Sequence, residues 1–440
     1  WKLLRGWLGK ETRISGEVIE TPAGLALTAR VGSQPGRRFV SKDGDLDALV
    51  SQGAELIYAR TQPYRHAISL DAPERRAERL AALTRLTNHE SAMERKWAYN
   101  GLSVTLRSEG DFRGSIAMAN KALAIDPDML PAIGNLGSAH QLLGHDQRMV
   151  DLHRRYASLN VGKEYDARIV AANGCQKQSD LGQALRDPVS VDQAADCLEA
   201  SASSMSIRAP SARIDAALTR NDPGPALGFD PKPEGVLTAD EAAFMRITYR
   251  IDGEMARGAG PALAKALDEL RAARAKRNAS SLDRNYYVAT SPTTVWPREA
   301  RVLAMLGRTD EAAALIGRTP LDCYDCVRTR GLVDEARGDR RRAQSWYLAA
   351  AKLGPRLPAA FADWGRLLAK AGRYESAKVK LKEAVRLAPN WAEPLKSWGD
   401  MLAAQGKRAE ALAKYDAALK LAPNWRDLNA ARATVAAPRT

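Results

Sequence analysis

The side chains whose types and spacing could do chemistry are four cysteines, five histidines and two arginine-rich clusters. Cys323-Tyr-Asp-Cys326 has the spacing of a redox motif. That chemistry needs a thioredoxin-like βαβ setting, and the flanking sequence reads as helical. A zinc site needs four ligands at regular spacing, which Cys175 and Cys197 do not complete. The pattern favours burial of the thiols as small apolar groups. Structural disulfides are the alternative and would require an oxidising compartment. His140, His145 and His153 fall in one helix pair but include no i, i+4 pair, and His66 and His89 stand alone, so no metal site is expected. No phosphate-binding glycine loop, dinucleotide fingerprint, His-Glu-x-x-His or nucleophile elbow occurs. Glu90, Glu94, Asp363, Asp400 and Asp416 read as solvated helix positions, and Asp45 and Asp47 as the start of a helix. The chain is therefore not expected to be an enzyme, and no cofactor is implied. A catalytic centre hidden in residues 160–290 is the weaker alternative.

The basic clusters are Arg271, Arg274, Lys276 and Arg277, and Arg337, Arg340, Arg341 and Arg342. Nucleic-acid binding would need them on one face with aromatics interleaved. Trp346 and Tyr347 sit where helix packing uses them, so nucleic acid is not the expected partner. The net charge is +14, from 66 Lys and Arg against 52 Asp and Glu, spread along the 440 residues. It favours acidic partners in general but reads first as a solvated surface. Hydrophobic residues are 45% and charged residues 27%, as in globular proteins. No run of 18 apolar residues and no signal peptide is present. The sequence starts at Trp1 without Met, which is expected of a fragment or processed form with an anchor or targeting segment upstream.

The elements that position these residues are written most clearly between Tyr324 and Trp425. Gly338, Gly372 and Gly406 are 34 apart, as are Ala343, Ala377 and Ala411; Tyr347, Leu381 and Tyr415; Ala350, Ala384 and Ala418; and Pro355, Pro389 and Pro423. Gly331, Gly365 and Gly399 keep the same step. Trp364 and Trp398 recur, and Leu-Ala-Pro-Asn-Trp ends two units, at 387–391 and 421–425. This period and content resemble the tetratricopeptide (TPR) repeat. The resemblance implies a mainly α fold: a right-handed α-solenoid of helical hairpins whose first helices line a concave groove. In that phase Arg328, Glu335, Arg366, Lys370, Glu393, Lys396 and Asp400 face the groove. Four of the seven are basic, so an acidic peptide is the expected ligand. The carboxylate clamp of chaperone-binding TPR domains is not matched, because Leu332, Arg366 and Asp400 stand where it needs Asn.

Residues 1–62 read as a small α+β unit. Trp1–Leu8 is amphipathic, 12–20 and 25–31 alternate about a Thr-Pro-Ala-Gly turn, 37–41 could form a third strand, and a helix follows Asp43 or Asp45. Leu46, Leu49, Val50, Gly53 and Ile57 share one face of that helix. Ile14–Val18, Leu25–Val31 and Asp45–Arg60 resemble the second half of the TolB amino-terminal-like domain, which implies a missing strand upstream. Residues 63–160 read as TPR-like hairpins, with Gly110 and Gly144 again 34 apart. Residues 161–290 read as divergent hairpins with a Pro/Gly-rich joint near 221–235, and 291–440 as TPR units with a capping helix. With Thr61-Gln-Pro-Tyr64 and Thr319-Pro-Leu-Asp-Cys-Tyr-Asp-Cys326, the arrangement is similar to a group of proteobacterial TPR proteins, many tethered to the inner membrane. A non-enzymatic protein-binding scaffold is the first expectation. The second is a sensory or regulatory part of a larger bacterial signalling protein, with cytoplasmic placement as the alternative to an anchored one. The partner and the oligomeric state are not readable.

Overall fold

In the computed structural model, residues 12–160, 165–201, 204–233, 237–280 and 284–437 are described. The helix expected at Trp1–Leu8 lies outside them. The protein is mainly helical, with a small three-stranded sheet near its N-terminus. It divides into two compact units: the described residues up to Leu106 with Ala117–Ala132, and Arg107–Ile116 with Ile133 onward.

In the first unit, β1 (Ile14–Thr21), β2 (Gly24–Val31) and β3 (Arg37–Ser41) form an antiparallel sheet in the order β1-β2-β3. Ile14 pairs with Val31 and Thr21 with Gly24 across the first hairpin. The turn needs glycine: Gly24 has φ +112°, and a Cβ there would run into the Ser41 carbonyl oxygen. Asp45, rather than Asp43, caps α1 (Leu46–Thr61), accepting from the Ala48 amide at 2.9 Å. Of the face expected to be apolar, only Leu49 and Gly53 are buried, and Gly53 sits against Leu27. Leu46 and Val50 are exposed, because the three-stranded sheet is too narrow to cover the whole helix face. The helices α2 (Pro63–Ser69), α3 (Arg76–Leu86), α4 (Ala92–Ser108), α5 (Phe112–Ile125) and α6 (Leu130–Leu142) follow. Leu70, Leu83, Ala98 and Leu102 make a core shared by α2, α3 and α4.

The second unit continues with α7 (Asp146–Ser158), α8 (Ala167–Ala184), α9 (Pro188–Ala200), α10 (Ala209–Thr219) and the short α11 (Gly224–Leu227). Next come α12 (Ala239–Arg257), α13 (Pro261–Ser280), α14 (Arg284–Met305) and α15 (Thr309–Gly317). Thr238 and Glu241 form a capping box at the start of α12. The last helices are α16 (Tyr324–Ala336), α17 (Arg340–Leu353), α18 (Pro358–Lys370), α19 (Tyr374–Leu387), α20 (Ala392–Ala404), α21 (Arg408–Leu421) and α22 (Arg426–Ala436). Among the described residues, 165–290 is helical and contains no strand.

The 34-residue phase is a packing phase. A Cβ on Gly331 would come within 2.5 Å of the Tyr347 ring, and one on Gly399 within 2.5 Å of the Tyr415 ring. Gly365 meets Leu381 in the same way, at 2.7 Å. Ala343, Ala377 and Ala411 are fully buried at the crossings. Earlier in the unit, Met149, His153 and Tyr156 break the repeat pattern yet are buried, because Gly134 and Gly137 leave room for the large rings opposite.

The cysteines differ from the favoured sequence reading. Cys175 and Cys197 form a disulfide joining α8 to α9, with Cα atoms 5.7 Å apart. Cys323 and Cys326 form a second at the start of α16, with Cα atoms 5.2 Å apart. The pairs are brought together by a helix hairpin and by one helical turn, so neither thiol pair remains a set of free apolar groups.

Candidate functional site

The first helices α16, α18 and α20 carry the seven residues expected in the groove. Arg328 donates to Asp363 Oδ2 at 2.6 Å and to Asp325 Oδ1 at 3.3 Å. Arg366 donates to both oxygens of Glu335, at 2.6 and 3.1 Å, and to Asp363 at 3.3 Å. Lys370 reaches Glu335 at 3.2 Å. Lys396 pairs with Asp400 at 2.9 Å, and Asp400 also accepts from the Tyr415 hydroxyl. Glu393 makes no ion pair or hydrogen bond among the described residues. The four cations thus do not form a free basic strip; carboxylates on the same or neighbouring helices neutralise each of them.

Asp363 is the main departure from the sequence reading. It is 3% exposed, not solvated, and joins Arg328 to Arg366. Asp325 has the same role one unit earlier, pairing with Arg301 at 2.6 Å. Burial alone would raise Asp325; Arg301 and Arg328 outweigh it and hold the carboxyl well below its ordinary range. The first basic cluster is likewise spent on structure. Arg271 and Arg274 both bind Glu299, which is 2% exposed, and Arg277 stacks on Phe244 and Tyr287.

A second set of contacts was not visible in the sequence. Within the second unit, helices α7–α11 lie along the start of each C-terminal hairpin. Arg356, Asn390 and Asn424, 34 residues apart, occupy the same place in successive repeats. Arg356 donates to Asp151 at 2.8 Å, Asn390 to Asp187 at 3.0 Å and Asn424 to Asp222 at 3.0 Å. The separations in sequence are 205, 203 and 202 residues, so both stacks advance in the same direction with nearly the same step. Where this seam begins, His145 lies 3.3 Å from Asp322, and Tyr324 donates its amide to the Gly144 carbonyl. Met149 and Val150 pack there with Tyr324, Val327 and Leu357.

The turns that enter this seam are unusual. Gly144, Gly307, Gly338, Gly372 and Gly406 take the left-handed conformation at the hairpin turns of the unit. Arg186 and Asn221, each at φ 56°, take it at the turns after α8 and α10. Both side chains line one cavity of about 380 Å³, together with Asp215, Trp391, Arg328 and Glu393. A second cavity of about 510 Å³, lined by Leu332, Met305, Glu335, Arg366 and Lys370, shares Met255 and Arg301 with the first. Five of the seven expected groove residues therefore fall on two neighbouring cavities; Lys396 and Asp400 line neither.

Inside the first cavity Arg298 pairs with Asp252 at 2.8 Å, and Asp215 accepts from Gln183 at 2.8 Å. Burial and the neighbouring Asp252 push Asp215 up to about 7. Burial, and then Asp363, raise Glu393. No group of three His, Cys, Asp or Glu side chains among the described residues is arranged to hold a metal ion. No helix among them is long and apolar enough to cross a membrane. Arg186, Asn221 and Trp391 escaped sequence reasoning; the available signal was the missing turn glycine in the Arg-Asp and Asn-Asp pairs at 186–187 and 221–222. With this geometry in view, no family model matches the chain, and no curated protein matches it.

Proposed function

We propose that this protein is a non-enzymatic interaction scaffold of TPR type that binds a protein or peptide partner on the face of its first helices. The observation that carries this reading is the pair of neighbouring cavities on that face, about 380 and 510 Å³, set between repeats that pack in phase. Recognition rests on shape and apolar contact in the larger cavity, through Leu332, Met305 and Met255, with Lys370 at its rim. A purely electrostatic grip on an acidic segment is less favourable, since it must displace Glu335 or Asp363 from its arginine. The α+β unit of residues 12–61 is TolB amino-terminal-like in this reading. The two disulfides favour an oxidising compartment, as for a bacterial protein held at the outer side of the inner membrane.

The test is site-specific photo-crosslinking in the source cells, with the reactive residue placed at Met305. The control is Val379, which is 63% exposed on the second helix α19. A discrete cross-linked protein at Met305 and none at Val379 supports the reading. Equal labelling at both sites, or none at either, removes the groove as the binding face. A sensory role is the second reading, favoured by the charged cavity at Arg186.

A further inference from the structure

The charges around the smaller cavity are not all paired by direct contact. Arg298 is paired with Asp252, Arg301 with Asp325, and Arg328 with Asp363 and Asp325. Asp215, Arg186 and Glu393 are left; Asp215 accepts hydrogen bonds from Gln183 and Tyr249, whereas Arg186 and Glu393 have neither an ion pair nor a hydrogen bond among the described residues. They are near enough to influence each other electrostatically but are not in contact. Both side chains are half-buried, and a ligand carrying both charges would give each a direct partner.

The backbone adds a second, independent sign. Arg186 takes a left-handed conformation that the other turns of the unit assign to glycine, Asn221 excepted. Strain of this kind persists where a side chain is needed in that place. Its guanidinium lies 5.9 Å from the Trp391 ring centroid, which steadies it on an aromatic face. Asn221, the other strained turn residue, lines the same cavity. A volume of about 380 Å³ is in the range of small-molecule pockets.

We propose that this cavity binds a small zwitterion of the α-amino-acid class, with its carboxylate held in a fork by Arg186 and its ammonium group by Glu393. A carboxylate matches the planar donor pair of a guanidinium. An ammonium group supplies the counter-charge that Glu393 lacks, and Asn221 can orient the ligand between them. Burial of Glu393 beside Asp363, which raises its pKa, agrees with a carboxylate waiting for a cation. A ligand with one charge would satisfy only one of the two groups.

The test is calorimetric titration and thermal melting of the full chain with each common amino acid, and with acetate, ethylamine and inorganic phosphate as probes that carry charge of one sign only. At least one amino acid should bind below about 1 mM and raise the melting temperature, with acetate and ethylamine at least about tenfold weaker. Arg186→Gly should melt no lower than the parent, because glycine relieves the turn, yet lose binding by about tenfold or more. Glu393→Gln should lose the amino acid to a similar degree. If no amino acid binds at about 10 mM, the proposal fails. It fails equally if phosphate or acetate binds as tightly as any amino acid and Glu393→Gln changes nothing, since the cavity is then a simple anion site. If Arg186→Gly melts well below the parent and still binds, Arg186 is structural and the proposal is overturned.

Discussion

Asp363 sets the energetics of the C-terminal repeats because it neutralises two arginines from inside the packing. It accepts from Arg328 at 2.6 Å and Arg366 at 3.3 Å while almost fully buried. Removing its charge leaves Arg328 with Asp325 and Arg366 with Glu335 as their remaining partners, a loss of about 1–3 kcal/mol. Asp363→Asn should therefore lower the denaturant midpoint. Lys370→Gln, at a side chain 59% exposed, should change stability by no more than about 0.5 kcal/mol. Equal midpoints would show that the remaining partners suffice. Arg328 and Arg366, which the spacing of the first helices puts on one face, share Asp363. That spacing could not identify Asp363 as their partner, since a solvated and a bridging carboxylate look alike in a helical pattern. Asp215 gives a second test, in pH. Its folded-state pKa of about 7 lies above the ordinary value of 3.8, so the folded protein holds the proton more tightly. That stabilisation is complete at low pH and is lost as pH rises from about 4 through 7. Asp215→Asn should gain stability relative to the parent between pH 5 and pH 8. A melting-temperature difference that does not vary with pH would contradict the assignment.

At the scale of elements, hairpins that repeat were legible and hairpins that do not were located without their packing. Ala377 is fully buried where α18 and α19 cross, as its phase with Ala343 and Ala411 required. Ala377→Leu should cost about 1–3 kcal/mol by overpacking, measured by denaturant melts. A variant as stable as the parent would mean that the crossing is looser than the buried alanine indicates. Arg366, expected to face the groove, is bonded to Glu335 and Asp363 and so is part of the charge network of the first helices. Helices α8 to α10 were expected only as divergent hairpins within 161–290, and no period ties them to each other. They share an apolar core of Val191, Ala195, Leu198, Ala209 and Ala216, and the Cys175–Cys197 disulfide, with a sequence separation of 22, ties α8 to α9. Loss of that bridge through Cys175→Ser with Cys197→Ser should cost about 3 kcal/mol in the chain-entropy picture. The Cys323–Cys326 bridge spans 3 residues and restricts the unfolded chain far less. If a reductant lowers the melting temperature equally in the parent and in the Cys175/Cys197 double variant, the long bridge is not the stabilising one.

At the scale of the whole second unit, the seam joins two stacks whose steps match. Each stack was partly visible in the sequence, but their register was not, because every rung links residues about 200 positions apart. Nothing local in Arg356, Asn390 or Asn424 names an aspartate so distant. The match of steps has a consequence: a fault at one rung should be felt at the next. Asn390→Asp and Asn424→Asp together would set carboxylates against Asp187 and Asp222, at contacts that now measure 3.0 Å each. Like charges at such range cost about 1 kcal/mol each in a watery setting, and more where partly buried. The apolar contacts of Met149 and Val150 at the other end of the seam remain. The double variant should therefore stay folded while the seam opens from its C-terminal end. Hydrogen exchange should quicken at the turns near 186–187 and 221–222 and hold steady within α18 and α19. Salt should restore part of the protection, since the screening length falls from about 8 Å to about 3 Å between physiological salt and 1 M. Unchanged exchange at both turns would mean that the rungs follow from the packing of the stacks and do not hold them in register.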